Sequence, residues 1–248
     1  MRATRVIGTG IVAALAFEAR SLGPARRAAR AVARLADGSL IRTSGIGADN
    51  AARAARELID AGAGALLSWG VAGALDPALT CGTAVVPDEV VWRPKDADAQ
   101  ALRRFPSTPA WRELLLAELQ GRTRIAGGAL LTHVTPVALA ASKATLYADT
   151  RAVAVDMESA AVAEVAAAHA LPFLALRVVL DTAHDSLPDS LMRALAAPRA
   201  SWWPLVGTPS DWPGLLRLAA QYRHARRSLR RCAHLSAISR RSPDGAGH

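Results

Sequence analysis

The sequence predicts an α/β protein in which helices cover both faces of a central, largely parallel sheet. Short runs that are apolar throughout alternate with Ala-rich stretches of helical length along most of the 248 residues. Continuously apolar strands are buried on both faces, which is typical of parallel sheets covered by helices. Because 51% of the residues are hydrophobic, the chain can also bury a sizeable core. We therefore predict a three-layer α/β/α sandwich with a mixed, largely parallel sheet.

The elements follow from the length and periodicity of each apolar segment. Seven short apolar runs are predicted strands: 6–13, 40–43, 65–69, 83–86, 125–131, 152–155 and 173–180. Six longer, Ala-rich or amphipathic stretches are predicted helices: 25–36, 49–61, 109–119, 138–147, 159–169 and 215–229. In this class of fold, ligands bind at the carboxyl ends of the strands.

The first apolar run, 6–13, has a second interpretation as part of a signal peptide. Glu18 follows the run closely, and no clean small-residue cleavage site is present, so a buried strand is the better reading. No segment reaches the roughly 20 uninterrupted apolar residues that a membrane span requires. We expect a cytoplasmic protein.

Residues 1–235 are predicted to form one domain. A segment rich in Pro and Trp, 187–213, is predicted to be a long functional loop or lid. A basic amphipathic helix follows at 214–234, and the tail 236–248 is predicted to be disordered.

The net charge of +9 raises the question of nucleic-acid binding. The basic residues crowd at 20–34 and 217–241, without an RNA-binding aromatic signature or a zinc-finger pattern, so no nucleic-acid partner is expected. The two cysteines, Cys81 and Cys232, are far apart and lack metal-ligand spacing. This pattern predicts a reduced intracellular protein with no disulfide and no metal site.

The segment 152–185 carries the candidate chemistry. Asp156 and Glu158 follow one predicted strand, while Arg177 lies inside the next and Asp181 at its end. Either carboxylate of the first pair could simply cap the following helix, and Asp181 could be an ordinary loop residue. However, Arg177 in a buried strand needs an anion nearby, and a carboxylate of this group would supply it.

These residues carry a family resemblance. VDMESAAVAEVA and LPFLALRVVLDTAHD resemble the ribose-binding and acid-bearing segment of the methylthioadenosine/S-adenosylhomocysteine nucleosidases and their phosphorylase relatives, and residues 44–77 resemble a second signature of that superfamily. GIVAALAFEARSL places Glu18 where the hydrolytic members carry a glutamate. GVAGALDP, VDMES and the C-terminal arginine-rich helix are most similar to the hopanoid-associated branch, which is understood to remove adenine from adenosylhopane.

The resemblance implies cleavage of an N-glycosidic bond, with a role for each polar group. A general acid must neutralise the negative charge on the departing purine, and Asp181 is the expected acid. Glu18 is expected to activate water or stabilise the ribosyl cation. Glu158 would accept hydrogen bonds from the ribose hydroxyls and Met157 would pack against the sugar, while Arg177 would hold the carboxylates.

Two departures from the family pattern affect the binding site. Val71 and Gly73 lie in the Gly-rich turn that is expected to contact substrate, but Val71 stands where many relatives carry a hydroxyl residue. This weakens a phosphate site, although inorganic phosphate stays open as a co-substrate, with Arg20 as one contact; no other cofactor is expected. Where relatives present an aromatic residue to the purine, this chain has His133, Thr135 and Pro136.

Other functions stay open at this point. They are ordinary methylthioadenosine or adenosylhomocysteine hydrolysis, another purine nucleoside phosphorylase, and a catalytically silent nucleoside-binding module. A dinucleotide-dependent oxidoreductase is disfavoured because no GxGxxG follows the first strand. A homo-oligomer is expected from the resemblance.

The C-terminal third is a candidate contact with a lipid-linked substrate. Trp202, Trp203 and Trp212 precede the basic helix and are candidates for an apolar lid, with peripheral contact to the inner membrane face. The alternative is that this helix covers the sheet with its apolar face and leaves its arginines in solvent.

Overall fold

The computed structural model describes residues 8–24, 28, 31–92, 102–196 and 211–235. The strands are β1 (Gly8–Ala13), β2 (Ala33–Arg34), β3 (Leu40–Thr43), β4 (Ala63–Ala74), β5 (Ala84–Val85), β6 (Glu89–Trp92), β7 (Arg103–Pro106), β8 (Ile125–Ala126), β9 (Ala129–Thr132), β10 (Ala154–Asp156) and β11 (Phe173–Asp181). The helices are α1 (Ala16–Ala19), α2 (Ala48–Asp60), α3 (Pro109–Leu119), α4 (Ala140–Thr150), α5 (Ser159–Ala168), α6 (Asp189–Ala196) and α7 (Trp212–Leu235).

The predicted fold class is confirmed, since these strands form one mixed, largely parallel sheet. Its main path runs β2-β3-β1-β4-β10-β9-β6-β7, and a branch runs from β4 through β11 and β5 to β8. The long strand β4 pairs in parallel with β1 and β11 and, near its end, antiparallel with β10. The last residues of β4 therefore lie between the end of β11 and the short strand β10.

Helices pack on both faces of the sheet. On one face, Leu58 of α2 and Val162 of α5 belong to one buried cluster with the sheet residues. On the other face, Trp111 of α3 and Leu229 of α7 belong to a second cluster. These two apolar clusters fix the strand ends that carry the polar residues of the site.

The predicted helix over 25–36 is wrong in the part that the structure describes. Ala33–Arg34 form β2 and pair antiparallel with β3. Leu35 donates a hydrogen bond from its backbone N–H to the Ser39 carbonyl, and Gly38 has a φ of +91° in the turn between the strands. The Asp37-Gly38 pair is a strong hairpin signal, and it overrides the Ala-rich composition of the preceding residues.

Two further segments differ from the prediction. The expected strand 125–131 is divided into β8 and β9 because Gly128 has a φ of +95°, a conformation that interrupts a regular strand. Within the expected loop 187–213, residues Asp189–Ala196 form the helix α6, and α7 begins at Trp212. Trp202, Trp203 and the tail 236–248 lie outside the described residues.

Helix α7 packs its narrow apolar face against the sheet. Ala225, Leu229 and Cys232 are buried at helical spacing, and Tyr222 contacts Phe17 of α1 edge to face at 4.8 Å between ring centroids. Among the helices described, none is long and apolar enough to cross a membrane.

Candidate active site

The candidate active site forms where the end of β11 and the short strand β10 flank the last residues of β4. The register pairs Arg177 of β11 with Gly70 of β4, and Asp181 with Gly73 after a bulge. Val155 of β10 pairs with Gly73 from the other side. The structure thus brings together side chains from segments that are more than 100 residues apart in the sequence.

Arg177 lies at the centre of a buried polar cluster. Its guanidinium Nη2 atom is 2.8 Å from Asp156 Oδ2 and 3.7 Å from Glu158 Oε2. Nη2 also donates hydrogen bonds to the hydroxyls of Ser68 at 2.8 Å and Ser159 at 3.1 Å. The anion that a buried arginine requires is therefore present.

The two carboxylates after β10 have different partners. Asp156 caps α5, since its Oδ2 atom accepts a hydrogen bond from the Ser159 N–H at 3.2 Å, and its Oδ1 atom accepts one from Thr132 Oγ1 at 2.7 Å. Glu158 occupies the N-cap position of α5, but its side chain does not cap the helix; its Oε1 atom accepts a hydrogen bond from the Gly47 N–H at 2.9 Å. Burial raises the pKa of Glu158 to about 7, although Arg177 opposes this.

Glu18 enters the same cluster from α1. Its Oε1 atom accepts a hydrogen bond from the Val71 N–H at 2.9 Å, and its Oε2 atom accepts one from the Leu15 N–H at 2.8 Å. Burial raises the pKa of Glu18, while Arg177 and the backbone donors lower it. Val71 therefore contributes its backbone, and its missing hydroxyl has no consequence for this contact.

Gly70 allows Glu18 and Arg177 to approach each other. A Cβ atom at this position would lie only 2.4 Å from Glu18 Oε1 and 2.4 Å from Arg177 Nη1. The Nη1 atom is buried and has no hydrogen-bond partner among the described residues. A buried guanidinium nitrogen in this state is a donor that a substrate or solvent oxygen can satisfy. The sequence analysis missed Gly70, because nothing in the sequence shows which side chains face a strand glycine.

Asp181 forms the second half of the site. It is buried at the end of β11, and its Oδ2 atom accepts a hydrogen bond from the ammonium group of Lys143 in α4. A Cβ atom at Gly73 would lie 3.3 Å from Oδ2 and 3.5 Å from Oδ1, so this glycine also makes room for a carboxylate. Burial raises the pKa of Asp181, and the charge of Lys143 opposes the rise.

Sequence reasoning also missed Lys143. One signal was available: the chain has only two lysines among its 30 basic residues, and one of them lies within a predicted helix. Lysine is a compact point charge on a flexible stem, whereas the arginine used elsewhere is planar and larger. A lysine kept in a chain that otherwise uses arginine therefore indicates a specific need for an ammonium group.

The other predicted residues lie around these two halves. Met157 is half-buried between Asp156 and Glu158. His133 donates a hydrogen bond from Nδ1–H to the Thr135 carbonyl, 2.8 Å away, within its own loop. Arg20 is exposed and donates to the Ala16 carbonyl. In the described part of the chain, no cluster of three or more His, Cys, Asp or Glu side chains could hold a metal ion.

This chain is similar to known proteins in sequence and in fold. The family model described as the phosphorylase superfamily matches residues 13–199. No curated protein matches the chain significantly.

Solved structures share the fold at low sequence identity. A 5′-methylthioadenosine/S-adenosylhomocysteine nucleosidase from Neisseria meningitidis, in complex with methylthio-immucillin-A, is 19% identical with a TM-score of 0.68, covering 92% of this chain and 97% of that one. The corresponding nucleosidase from Helicobacter pylori is 17% identical with a TM-score of 0.68, covering 93% and 96%. Futalosine hydrolase from Helicobacter pylori is 17% identical with a TM-score of 0.67, covering 93% and 95%.

Proposed function

The chain belongs to the phosphorylase superfamily, and from this premise we propose that it cleaves the N-glycosidic bond of a 5′-substituted adenosine, with water as the nucleophile. The observation that carries the proposal is the division of the site into two buried acidic halves. Glu18, Glu158 and Arg177 form one half, and Asp181 forms the other.

Each half suits one part of the reaction. Departure of a purine leaves positive charge on the ribose and puts negative charge on the base, so an acid is needed beside the base and acceptors beside the sugar. The raised pKa of Asp181 favours the protonated form that can act as the general acid. Glu158 would accept hydrogen bonds from the ribose hydroxyls, and Met157 would pack against the sugar.

The charges around Arg177 favour water over phosphate. Within the described residues, this one guanidinium balances the carboxylates of Asp156, Glu158 and Glu18. A phosphate dianion here would be repelled by the excess of negative charge. A water molecule placed between Glu18 and the free Nη1 atom of Arg177 would satisfy this donor, and Glu18 would take up its proton.

We propose further that the 5′ substituent is large and apolar, as in adenosylhopane. The support comes from the surface next to Asp181. Arg217 and Gln221 of α7 contact Asp185, four residues after the acid, and the exposed Trp212 and Leu216 lie on the first turns of the same helix. An apolar surface of this kind next to the site would favour an apolar group.

The second candidate is hydrolysis of methylthioadenosine or S-adenosylhomocysteine, which the names of two structural neighbours favour. Both candidates release adenine, and they differ in the 5′ group that is cleaved fastest. The substrate test below therefore compares these nucleosides directly with an apolar one.

The test is adenine release from methylthioadenosine, S-adenosylhomocysteine and adenosylhopane, with and without phosphate. We expect the highest kcat/KM for adenosylhopane and a free ribosyl product in both conditions. A phosphorylated sugar that appears only with phosphate would overturn the hydrolytic proposal, and a clear preference for methylthioadenosine would establish the second candidate.

A second test is the variant Asp181→Asn, which keeps the shape of the side chain. Its turnover should fall by about two orders of magnitude with little change in substrate binding. Near-normal adenine release by the folded variant would remove Asp181 from the role of general acid.

A further inference from the structure

We propose that Lys143 is a positioning residue that holds Oδ2 of Asp181 and thereby directs the transferable proton to Oδ1. This inference rests on the proposed function, because it assumes that Asp181 is the general acid. Lys143 has no direct contact with the reacting atoms in this proposal and acts through the aspartate.

Lys143 is buried on a helix that is otherwise largely exposed. Helix α4 is largely exposed, and its buried residues are Lys143 and Thr150. The lysine side chain is fully buried, although a charged lysine is almost never buried without a partner. A solvated position on the same helix would avoid this cost, so the side chain is buried for the contacts that its ammonium group makes.

These contacts use the whole ammonium group of Lys143. Besides Asp181, Nζ donates to the carbonyl oxygens of Thr182 at 2.8 Å and Asp185 at 2.9 Å. An ammonium group has three donors, and all three are satisfied here. Its position is therefore fixed, and it holds both the acid and the loop that follows β11.

The contact with Lys143 also determines which carboxyl oxygen of Asp181 can carry a proton. Because an ammonium group only donates, the oxygen bound to Lys143 must act as an acceptor. When Asp181 is protonated, the proton therefore resides on Oδ1, which accepts no hydrogen bond from another residue in the described part of the chain. During the reaction the Oδ1–H bond breaks, a purine N–H bond forms, and the electron pair of the glycosidic bond goes to the purine. The resulting aspartate forms an ion pair with Lys143, and solvent returns the proton after product release.

Other charged groups near Asp181 also influence its pKa and must be considered in a test of Lys143. Asp185 raises the pKa of Asp181, and Cys81 faces the same carboxylate with a thiol whose own pKa is raised to about 11 by burial. Arg217 is paired with Asp185. Lys143 is thus the cation that lowers the pKa of Asp181, and its removal should raise that pKa further.

The experiment compares pH profiles of kcat for wild type, Lys143→Met and Lys143→Gln. A general acid loses activity as pH rises through its pKa, so the alkaline limb should move to higher pH by roughly one unit or more in both variants. The plateau of kcat should fall about tenfold or more because Asp181 is no longer oriented, while KM stays within about twofold. The matched control is Ser142→Met, an exposed neighbour on α4, which should leave the profile unchanged.

A limb that stays at the wild-type pH in a folded Lys143 variant would overturn the inference. The Asp181→Asn variant distinguishes failure of the proposed function from failure of the role of Lys143. If this variant keeps its activity, the proposed function fails. If it is inactive but the pH profile of Lys143→Met is unshifted, only the role of the lysine fails.

A measurement on the wild-type protein keeps the inference testable if the variants do not fold. The chain has two lysines, Lys95 and Lys143, so isotopic labelling of lysine gives two side-chain nitrogen signals, which Lys95→Arg assigns. The Lys143 signal should change with pH at the midpoint of the alkaline limb of kcat. A Lys143 signal that does not follow that midpoint would contradict contact with the general acid.

Discussion

Arg177 shows how one buried side chain organises the ionisation of its neighbours. Its guanidinium contacts Asp156 and Glu158 and attracts Glu18 through space, so each carboxylate lowers the cost of burying the arginine. The carboxylates also repel one another, because the negative charges of Asp156 and Glu18 raise the pKa of Glu158. Protonation of this cluster is therefore expected near neutral pH.

The pH dependence of kcat/KM should report this cluster. The pKa of Glu158 is raised to about 7, and in the proposed function the ionised form accepts hydrogen bonds from the ribose hydroxyls. As pH rises through about 7, the ionised fraction of Glu158 grows, so kcat/KM should rise over this range, while loss of the proton of Asp181 should act in the opposite direction.

Glu158→Gln provides the check on this assignment. The substitution removes one negative charge from the cluster, in which Asp156 and Glu18 remain, so Glu18, whose pKa burial raises, should ionise at lower pH. We expect a lower kcat/KM and an acid limb displaced to lower pH. An unchanged limb in the folded variant would assign the titration to another group.

At the scale of elements, strand β4 determines where the two halves of the site can meet. Its residues from Gly70 to Gly73 run between Glu18 on one side and the end of β11 on the other. Both glycines face carboxylates, but the available space differs. A Cβ would be 2.4 Å from the nearest side-chain atoms at Gly70 and 3.3 Å at Gly73.

Alanine substitution of these glycines should therefore have graded effects. Gly70→Ala must displace Glu18 or Arg177, and we expect kcat to fall by about two orders of magnitude, as when a catalytic group is misplaced. Gly73→Ala requires a shift of only a few tenths of an ångström and should cost less. Steady-state kinetics on both variants, with thermal unfolding to check the fold, makes the comparison. Equal effects on kcat would contradict the importance of the close packing of Glu18 and Arg177 over Gly70.

The elements also show how far sequence reasoning reaches. The long apolar strands are readable because burial on both faces leaves a continuous apolar run, and the end of β11 identifies Arg177 and Asp181 directly. The order of the strands in the sheet and the short strands β2, β6 and β7 are not readable in this way. The Asp37-Gly38 pair also predicts a hairpin, but the Ala-rich stretch before it favours a helix, so the two local signals conflict. The contacts of Lys143 with Asp181 and of Gly70 with Glu18 depend on which long-range neighbours the sheet brings together, and local patterns do not contain that information.

At the scale of the whole molecule, α7 concentrates positive charge on one face of a single helix. Its apolar face packs on the sheet at Ala225, Leu229 and Cys232, as the simpler of the two sequence hypotheses requires. The opposite face is basic and exposed, with Arg223, Arg226, Arg227, Arg230 and Arg231. The exposed Trp212 and Leu216 add apolar surface at the beginning of the same helix.

This combination predicts binding to an anionic membrane surface. Each basic residue near such a surface contributes about 1 kcal/mol, and salt weakens the attraction. Trp is suited to the boundary between the apolar and aqueous phases. We therefore expect the protein to sediment with anionic vesicles at low salt, to bind neutral vesicles less, and to be released as salt is raised.

The variant that tests the apolar part combines Trp202→Ala, Trp203→Ala and Trp212→Ala, of which the first two positions lie outside the described residues. It should bind vesicles less tightly and cleave adenosylhopane more slowly, while methylthioadenosine is cleaved at the wild-type rate, because the chemistry at Asp181 is unchanged. Leu114→Ala, an exposed apolar residue on α3, is the control for loss of apolar surface away from α7. If the wild type ignores both kinds of vesicle and the triple variant keeps the normal rate on adenosylhopane, α7 serves only to cover the sheet, and the lipid-linked substrate should be abandoned.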